Sequence, residues 1–585
     1  ADFVKNDGGH LYLLADGRFQ ILDGWPAEQT HRIASVPIEG LPRRMYVHDD
    51  HAFVYSSLGG QAGGGWDPWR QGDGECSYGY DCDFTGDGMP LKVTVLDIAD
   101  RSAPQLVREL VFSASYLNSR RIGRAVHTVV VSGPFMPIIE TFPYALCDRR
   151  WNDPPTPQEI VAAFELLYEQ NRQQIVQAAA QAVPQLTDTR HGEGGPQVER
   201  RPLIDCGQLW ESGIMDGNSL VSVASQTIDG AGELSSSTII SRAGALYSSA
   251  GALYLAPRHY RHGMDGLWFA DELAEAAEAT TIHKLTLQND PPSSAYAASG
   301  VVKGRVLNQF SLGEHEGHLR IATTTGHLPS PDVHSTVSVL RQEGEALLVT
   351  GQVDRLAPSE DIRAVRFLGE RGYVVTFKKT DPLFVLDLGD VQAPRVAGEL
   401  HIPGFSTYLH RLDDGHLMSI GYDAEEQGDF AYFQGIQLQI FDVRDMADPQ
   451  LAHREVIGTR GSTSDAATNH MAFTYFRARQ ALALPIAICE GGAGGRFGDR
   501  LTFSGLLVYR ATADEGFTLL GRVAHEEPDG QSASGRCSSW WTRSSSKVKR
   551  SVFLEDYVFS ISDEKVKVNH LDRLEQELAE VDLLR

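Results

Sequence analysis

AVRFLGERGYVVTFKKTDPLFVLDLGDVQAPRVAGELHI, residues 364–402, holds four short apolar runs divided by turn residues. The order is an apolar strand, a turn, an apolar strand, a strand ending in Asp, then Pro and a last alternating strand. The same order returns in STYLHRLDDGHLMSIGYD followed by IQLQIFDVRDMADPQLAHREVI (406–457), and earlier in RRMYVHDDHAFVYSS followed by KVTVLDIADRSAPQLVRELVF (43–112). Strands of four to eight residues at this spacing, with Gly, Asp and Pro between them, indicate an all-β repeat rather than alternating strands and helices. A four-strand unit of roughly 40 residues is the size of a propeller blade. One blade has too little core alone, so the blades must close into a ring.

Looser copies open the chain (FVKNDGGHLYLLADGRFQILDG), recur near 245–287, 318–353 and 470–525, and close it (KRSVFLEDYVFSISDEKVKVNHL). With a split copy starting near Arg121 the count is nine four-stranded blades. Eight is the alternative, if the first and last segments complete one blade together. Helical periodicity interrupts the pattern once at length, in TPQEIVAAFELLYEQNRQQIVQAAAQAVPQ. Thr156, Pro157 and Glu159 form a capping box with Pro in the first turn, and Pro184 follows the end. Ile160, Phe164, Leu167, Ile175 and Ala179 lie on or near one face, so a helix packed on the propeller is expected. DELAEAAEA (271–279) is a second, short helix candidate.

The stretch from Ala364 through IPGFSTYLH resembles a family of secreted bacterial and archaeal proteins with a C-terminal β-propeller domain distantly related to WD40 repeats. So do NQFSLGEHEGHLRIATTTGH (308–327), SYLNSRRIG (115–123), ADFVKNDGGHLYLL and KRSVFLEDYVFSISDEKVKVNHLDRLEQ. The resemblance spans nearly the whole chain. It implies one extracellular or surface-anchored propeller domain over 1–585 and brings no catalytic motif. Three stretches read as additions to it: a Gly-rich acidic loop at 59–90, the helical insertion at 147–206, and loop-rich segments at 487–546.

A formal net charge of −25, from 77 acidic and 52 basic residues, repels phosphate backbones and anionic lipid. Nucleic acid is therefore not an expected partner, and a protein or glycan at the cell surface is. No apolar run approaches the length of a membrane span, and the first residues lack the regions of a signal peptide. Six cysteines suggest why: Cys76–Cys82, Cys147–Cys206 and Cys489–Cys537 each bracket a stretch that reads as an insertion between strands. Sequence alone leaves the pairing open. Three such staples would mean an oxidising compartment, and a secreted, cell-surface or periplasmic chain whose leader has been removed.

In YDCDFTGDGMP (80–90), Asp81, Asp83, Thr85 and Asp87 alternate and Gly88 follows. That is the start of a calcium loop, in which alternating oxygens converge on one ion and Gly permits the turn. An EF-hand would need Glu at the twelfth position, where Thr94 or Lys92 stands. A shorter site closed by the Met89 carbonyl is expected, with an unoccupied acidic turn as the alternative. A bound calcium there would be structural. The same loop carries Trp66, Trp69 and Arg70, residue types enriched at binding hot spots, with both Trp folded back onto the blade as the alternative.

Chemistry finds little foothold. EHEGH (314–318) lacks helical metal-site spacing and reads as a hairpin turn, no G-x-S-x-G is present, and the Asp that closes VLD, VLD and IFD reads as a turn former. The expected function is a non-enzymatic scaffold or binding module, with exposed aromatics around Trp66, Trp69, Trp540 or Trp541 and a plugged channel. Carbohydrate binding would use the same tryptophans. The competing expectation is a hydrolase or lyase at the central channel, for which His or carboxylates must converge from Arg363 to Arg366, Tyr408 to His410 and Asp465 to His470.

Overall fold

The computed structural model of the chain describes residues 1–59, 84, 86–134, 139–147, 154–213, 216–260, 278–377, 381–427, 430–492, 495–526, 537–538 and 543–584. Among the described residues the strands group in chain order into nine units of four antiparallel strands, at 4–37, 41–112, 115–241, 245–303, 312–356, 361–402, 405–457, 474–526 and 548–582, the third with a fifth strand, Leu209–Glu211, parallel to its edge. Units 4 and 5 share one sheet through a single parallel bridge, Ser299 to Ala346. The first and last stretches each supply four strands of their own; they do not complete one unit between them.

Unit 6 shows how the repeat is written. Its strands are Asp361–Leu368, Arg371–Phe377, Asp381–Asp387 and Arg395–Ile402. The second and third are covered on both faces by neighbouring units, so Tyr373, Val374, Val375 and Leu383, Val385, Leu386 are all buried. That burial makes them continuous apolar runs rather than alternating ones. The fourth strand is half exposed and alternates. Between the third and fourth, Asp387 Oδ1 accepts the Gly389 N–H (3.1 Å), Asp390 Oδ1 accepts the Gln392 N–H (3.0 Å), and Pro394 precedes the last strand. Asp97, Asp100 and Pro104 repeat this spacing in unit 2, as do Asp442, Asp445 and Pro449 in unit 7. Their carboxylates take the equivalent N–H groups of Ala99, Ser102, Arg444 and Ala447. The recurring Asp is therefore a turn former.

Each unit packs face to face on the next through its own apolar layer. Tyr12 and Phe19 meet Met45 and Val54 between units 1 and 2, Tyr373 and Val385 meet Leu409 and Phe441 between units 6 and 7, and comparable layers fill the other junctions. The ring closes where Leu11 and Leu22 of unit 1 pack on Phe559, Val566 and Leu583. Burying each large apolar side chain contributes about 1.5–3 kcal/mol. Polar contacts fix the register of the closure: Arg550 Nε donates to Asp2 Oδ2 (2.9 Å), and the buried Gln20 Nε2 donates to the Leu583 carbonyl (2.8 Å).

In a four-stranded antiparallel unit, the turns between strands 1–2 and 3–4 fall at one end of the ring, and the turns between strands 2–3 and from unit to unit fall at the other. At the first end no connection exceeds the seven residues of 388–394. At the second lie 58–90, 135–218, 257–277, 458–473, 491–499 and 527–547. The short-turn end and the insertion end are thus distinct faces.

The insertion of unit 3 holds helix α1, Pro157–Ala182, with the expected capping box: the Glu159 N–H donates to Thr156 Oγ1, and Glu159 Oε2 accepts the Thr156 N–H. It then adds a hairpin, Gln185–Arg190 and Gln197–Pro202, to the outer strand of unit 2, Gln105–Phe112. Arg108 and Asp188 form a buried two-pronged ion pair across that join (Nε–Oδ1 2.8 Å, Nη2–Oδ2 2.5 Å), and Arg108 Nη1 donates to the Gly230 carbonyl. This join takes the place of the expected Cys147–Cys206 staple, because both thiols are free and exposed on separate surface turns. Backbone bonds from Ser113 N to Gln185 O and from Leu203 N to Pro184 O close the base of the insertion instead. Cys489 and Cys537 do form a disulfide, with 5.8 Å between their Cα atoms. Cys76 and Cys82 lie outside the described residues. The stretch 487–546 is not loop throughout, since Arg500–Thr512 and Gly516–Glu526 are strands of unit 8. Of the second helix candidate, 271–277 lies outside the described residues, and Glu278 opens the strand Glu278–Asn289.

Candidate functional site

Innermost strands face the channel, and the side chains near their short-turn ends converge there. Arg120 in Ser115–Ile122 and Arg366 in Asp361–Leu368 each stand two residues before the hairpin turn. His410 holds a similar place in Phe405–Arg411. Phe310, in a single 3₁₀ turn at Gln309–Ser311, enters the channel and meets the rings of Tyr408 (centroids 5.4 Å apart) and His470 (5.1 Å). Phe473 packs on Tyr408 (5.4 Å) and on His410 (5.2 Å). Aromatic side chains thus fill the part of the channel bordered by units 7 and 8.

The opposite part is open. A cavity of about 490 Å³ is bounded by units 3, 4, 5 and 6, with Phe310 and His470 on its remaining side. Arg120, Arg320 and Arg366 line it, together with Leu246, Phe367 and Glu314. Glu314 Oε1 accepts the Tyr254 hydroxyl (3.1 Å) and lies 3.9 Å from Lys284 Nζ. His410 is pushed down to about 4, by burial first and then by the charge of Arg366. It is therefore a neutral imidazole at neutral pH, hydrogen-bonded to the Tyr408 hydroxyl (3.3 Å).

Of the residues named for channel chemistry, Arg366, Tyr408, His410 and His470 come together and Asp465 does not. Asp465 and His470 lie in 3₁₀ turns of the connection into unit 8, not on an innermost strand. The Asp465 carboxylate accepts the Ser544 hydroxyl (2.7 Å) and faces Lys549 (3.5 Å), joining two connections at the insertion end; burial pushes its pKa up. Arg363 lies toward that end as well, over the rings of Phe377 and Phe405. A Ser–His–Asp cluster does occur, at Ser241, His283 and Asp216. There, however, the carboxylate (2.8 Å) and the hydroxyl (3.4 Å) approach the same Nε2 atom, Nδ1 faces Tyr296, and all three residues are fully buried. A catalytic triad needs the two groups on opposite ring nitrogens, so this cluster lacks the triad arrangement and joins units 3 and 4.

Of the calcium loop, Asp81, Asp83 and Thr85 lie outside the described residues, as do Trp66, Trp69, Arg70, Trp540 and Trp541. Asp87 Oδ2 accepts the Ser57 hydroxyl (2.5 Å) and lies 3.2 Å from Arg43 Nη2, while Oδ1 accepts the Met89 N–H (3.0 Å). A cation there would have to take the place of Arg43. Among the described residues no three His, Cys, Asp or Glu side chains are grouped to hold a metal. EHEGH is a hairpin, with Glu316 (φ 49°) and Gly317 (φ 76°) as its two turn residues.

Helix α1 stands on the insertion face. Leu167 is buried (8% exposed), Asn171 donates to the Glu140 carbonyl (2.7 Å), and Phe164 meets Phe142 edge-on (5.7 Å). Val161, Leu166 and Tyr168 remain 56–66% exposed. Of the 21 exposed large apolar side chains among the described residues, nine fall within 139–176, so the insertion concentrates apolar surface that the ring itself hides.

The structure brings together what sequence reading separated. Arg120 and Arg320 stand 200 positions apart and share no local pattern; the signal in the sequence is the shared place of Arg120 and Arg366 before their turns.

Among known proteins, the family model described as Beta propeller domain matches residues 1–574. An uncharacterised protein of Archaeoglobus fulgidus is 38% identical over 207 residues, which is 35% of this chain and 29% of that one. One of Methanocaldococcus jannaschii is 36% identical over 183 residues, 31% of this chain and 27% of that one. The chain therefore matches less than a third of the length of these curated relatives. Among solved structures, Sqt1 of Saccharomyces cerevisiae is 10% identical with a TM-score of 0.33, over 64% of this chain and 84% of that one. A periplasmic gluconolactonase of Pseudomonas aeruginosa, PpgL, is 12% identical with a TM-score of 0.33, over 62% and 92%.

Proposed function

The chain belongs to the beta propeller domain family, and from that premise we propose that it is an extracellular or cell-surface binding module whose insertion face docks a protein partner. One observation carries this: the long connections leave the same end of a closed ring, and the longest of them, 135–218, brings a concentration of exposed apolar side chains with it. A rigid ring with loops on one face is a platform for recognition. Apolar groups in contiguous surface patches mark interaction sites. Glu165 and Glu169 border the strip formed by Ile160, Val161, Phe164 and Tyr168, so the partner would bring an apolar segment flanked by Lys or Arg. The disulfide between Cys489 and Cys537 favours an oxidising compartment. Calcium held by Asp81, Asp83, Thr85, Asp87 and the Met89 carbonyl would be a structural part of this face. With a Kd of about 1 mM, typical of extracellular modules, 10 mM calcium adds about 1.4 kcal/mol. A melting temperature unchanged between calcium and chelator would remove the ion from the proposal.

Photo-crosslinking tests the docking face. A benzoylphenylalanine is placed at Tyr168 or, at the short-turn end, at Asp414, and each intact protein is irradiated with an envelope extract of its source cells. The expected result is a discrete protein adduct from position 168, absent from position 414 and abolished by Val161→Asp/Leu166→Asp. Adducts from position 414 alone, or from both alike, would overturn the assignment.

A further inference from the structure

We propose that the channel cavity between units 3 and 6 binds a small molecule through an oxyanion, a phosphate, sulfate or carboxylate group, with a compact apolar body against the aromatic walls. The site differs from the proposed docking face in both place and chemistry, lying in the channel toward the short-turn end.

Three arginines line the cavity, one from each of three units, and among the described residues none of them is ion-paired to a carboxylate. The one acidic residue in the lining, Glu314, is already engaged by Tyr254 and Lys284. This is a local excess of positive charge in a chain whose formal charge is −25. Arg320 gives the second, independent observation. It is only 4% exposed, its Nη1 donates to the Gly369 carbonyl (3.0 Å), its guanidinium lies over the Phe367 ring (5.7 Å), and its Nε has no hydrogen-bond partner. A buried cationic donor without an acceptor is costly to keep. An anion in the cavity that Arg320 lines would offset the charge of this guanidinium. Arg366 lies over the Phe310 ring (5.5 Å), which holds its planar fork in place.

Burial lowers the pKa of Arg320, and the charge of Arg366 adds to the effect of burial in holding His410 near 4.

The walls set the rest of the ligand. Leu246, Phe310 and Phe367 are apolar, the two Phe rings flat, while Asn118, Ser119 and Ser248 offer neutral hydrogen bonds. The volume of about 490 Å³ is in the range of small-molecule sites, roughly 300–1,000 Å³. Arginine forks match planar or tetrahedral oxyanions with paired donors, which lysines would not do.

Isothermal titration calorimetry of the intact chain at fixed ionic strength tests this with four probes: inorganic phosphate, phenyl phosphate, benzoate and phenol. One-to-one saturable binding of phenyl phosphate or benzoate is expected, with inorganic phosphate weaker and phenol not binding. The tighter of the two aromatic anions assigns the oxyanion as phosphate-like or carboxylate. Arg120→Gln/Arg366→Gln is expected to weaken it at least tenfold, whereas Arg395→Gln, which removes one positive charge from an exposed outer strand, leaves it unchanged. Circular dichroism checks that the double variant is folded. Failure of all three anions to saturate, phenol binding as well as phenyl phosphate, or equal affinity in the folded double variant would each overturn the proposal.

Discussion

At the short-turn end the connections are closed by Asp carboxylates on backbone N–H groups and by two-residue hairpins, whereas at the insertion end the same nine units carry a helix, an added hairpin and a disulfide. The strands between the two ends are equivalent, so the difference lies in what each end must do. Turns at the first end repeat because they have only to reverse the chain within the thickness of a sheet. Those at the second lengthen outside the apolar layers between units, and a long one then needs its own means of attachment.

The strongest test of that contrast is the attachment of the hairpin at 185–202. Asp188→Ala leaves Arg108 buried without its counter-ion, which costs about 3–5 kcal/mol. Backbone hydrogen exchange over 185–202 should speed up by about two to four orders of magnitude while that of unit 6 stays unchanged. Acceleration in both regions would mean that the insertion is part of the ring and not an addition to it.

Acid should loosen both ends. His410 lies toward the short-turn end, and His525 closes the outer strand of unit 8 toward the insertion end, where its Nε2 meets the Ser560 hydroxyl (2.7 Å). Burial, aided by Arg366 in one case and by Lys567 and Lys565 in the other, holds each at about 4, against about 6.5 in an unfolded chain. Between those values the unfolded state binds more protons, so stability rises with pH across the window and is lost as pH falls through it. The loss is of order 2 kcal/mol for each histidine, less where water reaches the ring. Melting curves from pH 7 to pH 4 should show it, and His410→Phe should remove its share of the slope.

Smaller effects distinguish turn from surface. Asp387→Ala gives up the Gly389 N–H bond and the exposed pairing with Arg395, which should lower stability by about 1 kcal/mol as read by denaturant midpoint. Val161→Asp/Leu166→Asp on α1 should change stability by no more than about 0.5 kcal/mol. A larger loss from the helix variant than from the turn variant would reverse the comparison.

The repeat was legible because burial on both faces forces the middle strands of each unit into apolar runs such as YVV and LFVL, and because Asp and Pro return at the same turn. The helix was legible from its cap, Thr156 with Glu159. The attachment of the insertion was not: an Arg and an Asp 80 residues apart leave no local mark, while two cysteines draw the eye and here stand apart as thiols. In the channel, Arg366, Tyr408 and His410 could be named from their place in the repeat, whereas His470 reaches it from a connecting turn. Arg320 could not, because it reaches the cavity from the second strand of unit 5, whose innermost strand, Leu312–His315, is only four residues long.

The seam between units 9 and 1 is made of side chains. No strand crosses it, since each terminal unit is complete and the two meet through Leu11, Leu22, Phe559 and Val566, with Gln20 and Arg550 beside them. Where a sheet is woven from both chain ends, pulling those ends apart unpicks one ladder bond after another. Here the load would fall in shear across a packed surface, and the ring would part there as a clasp does, with the sheets on either side left intact.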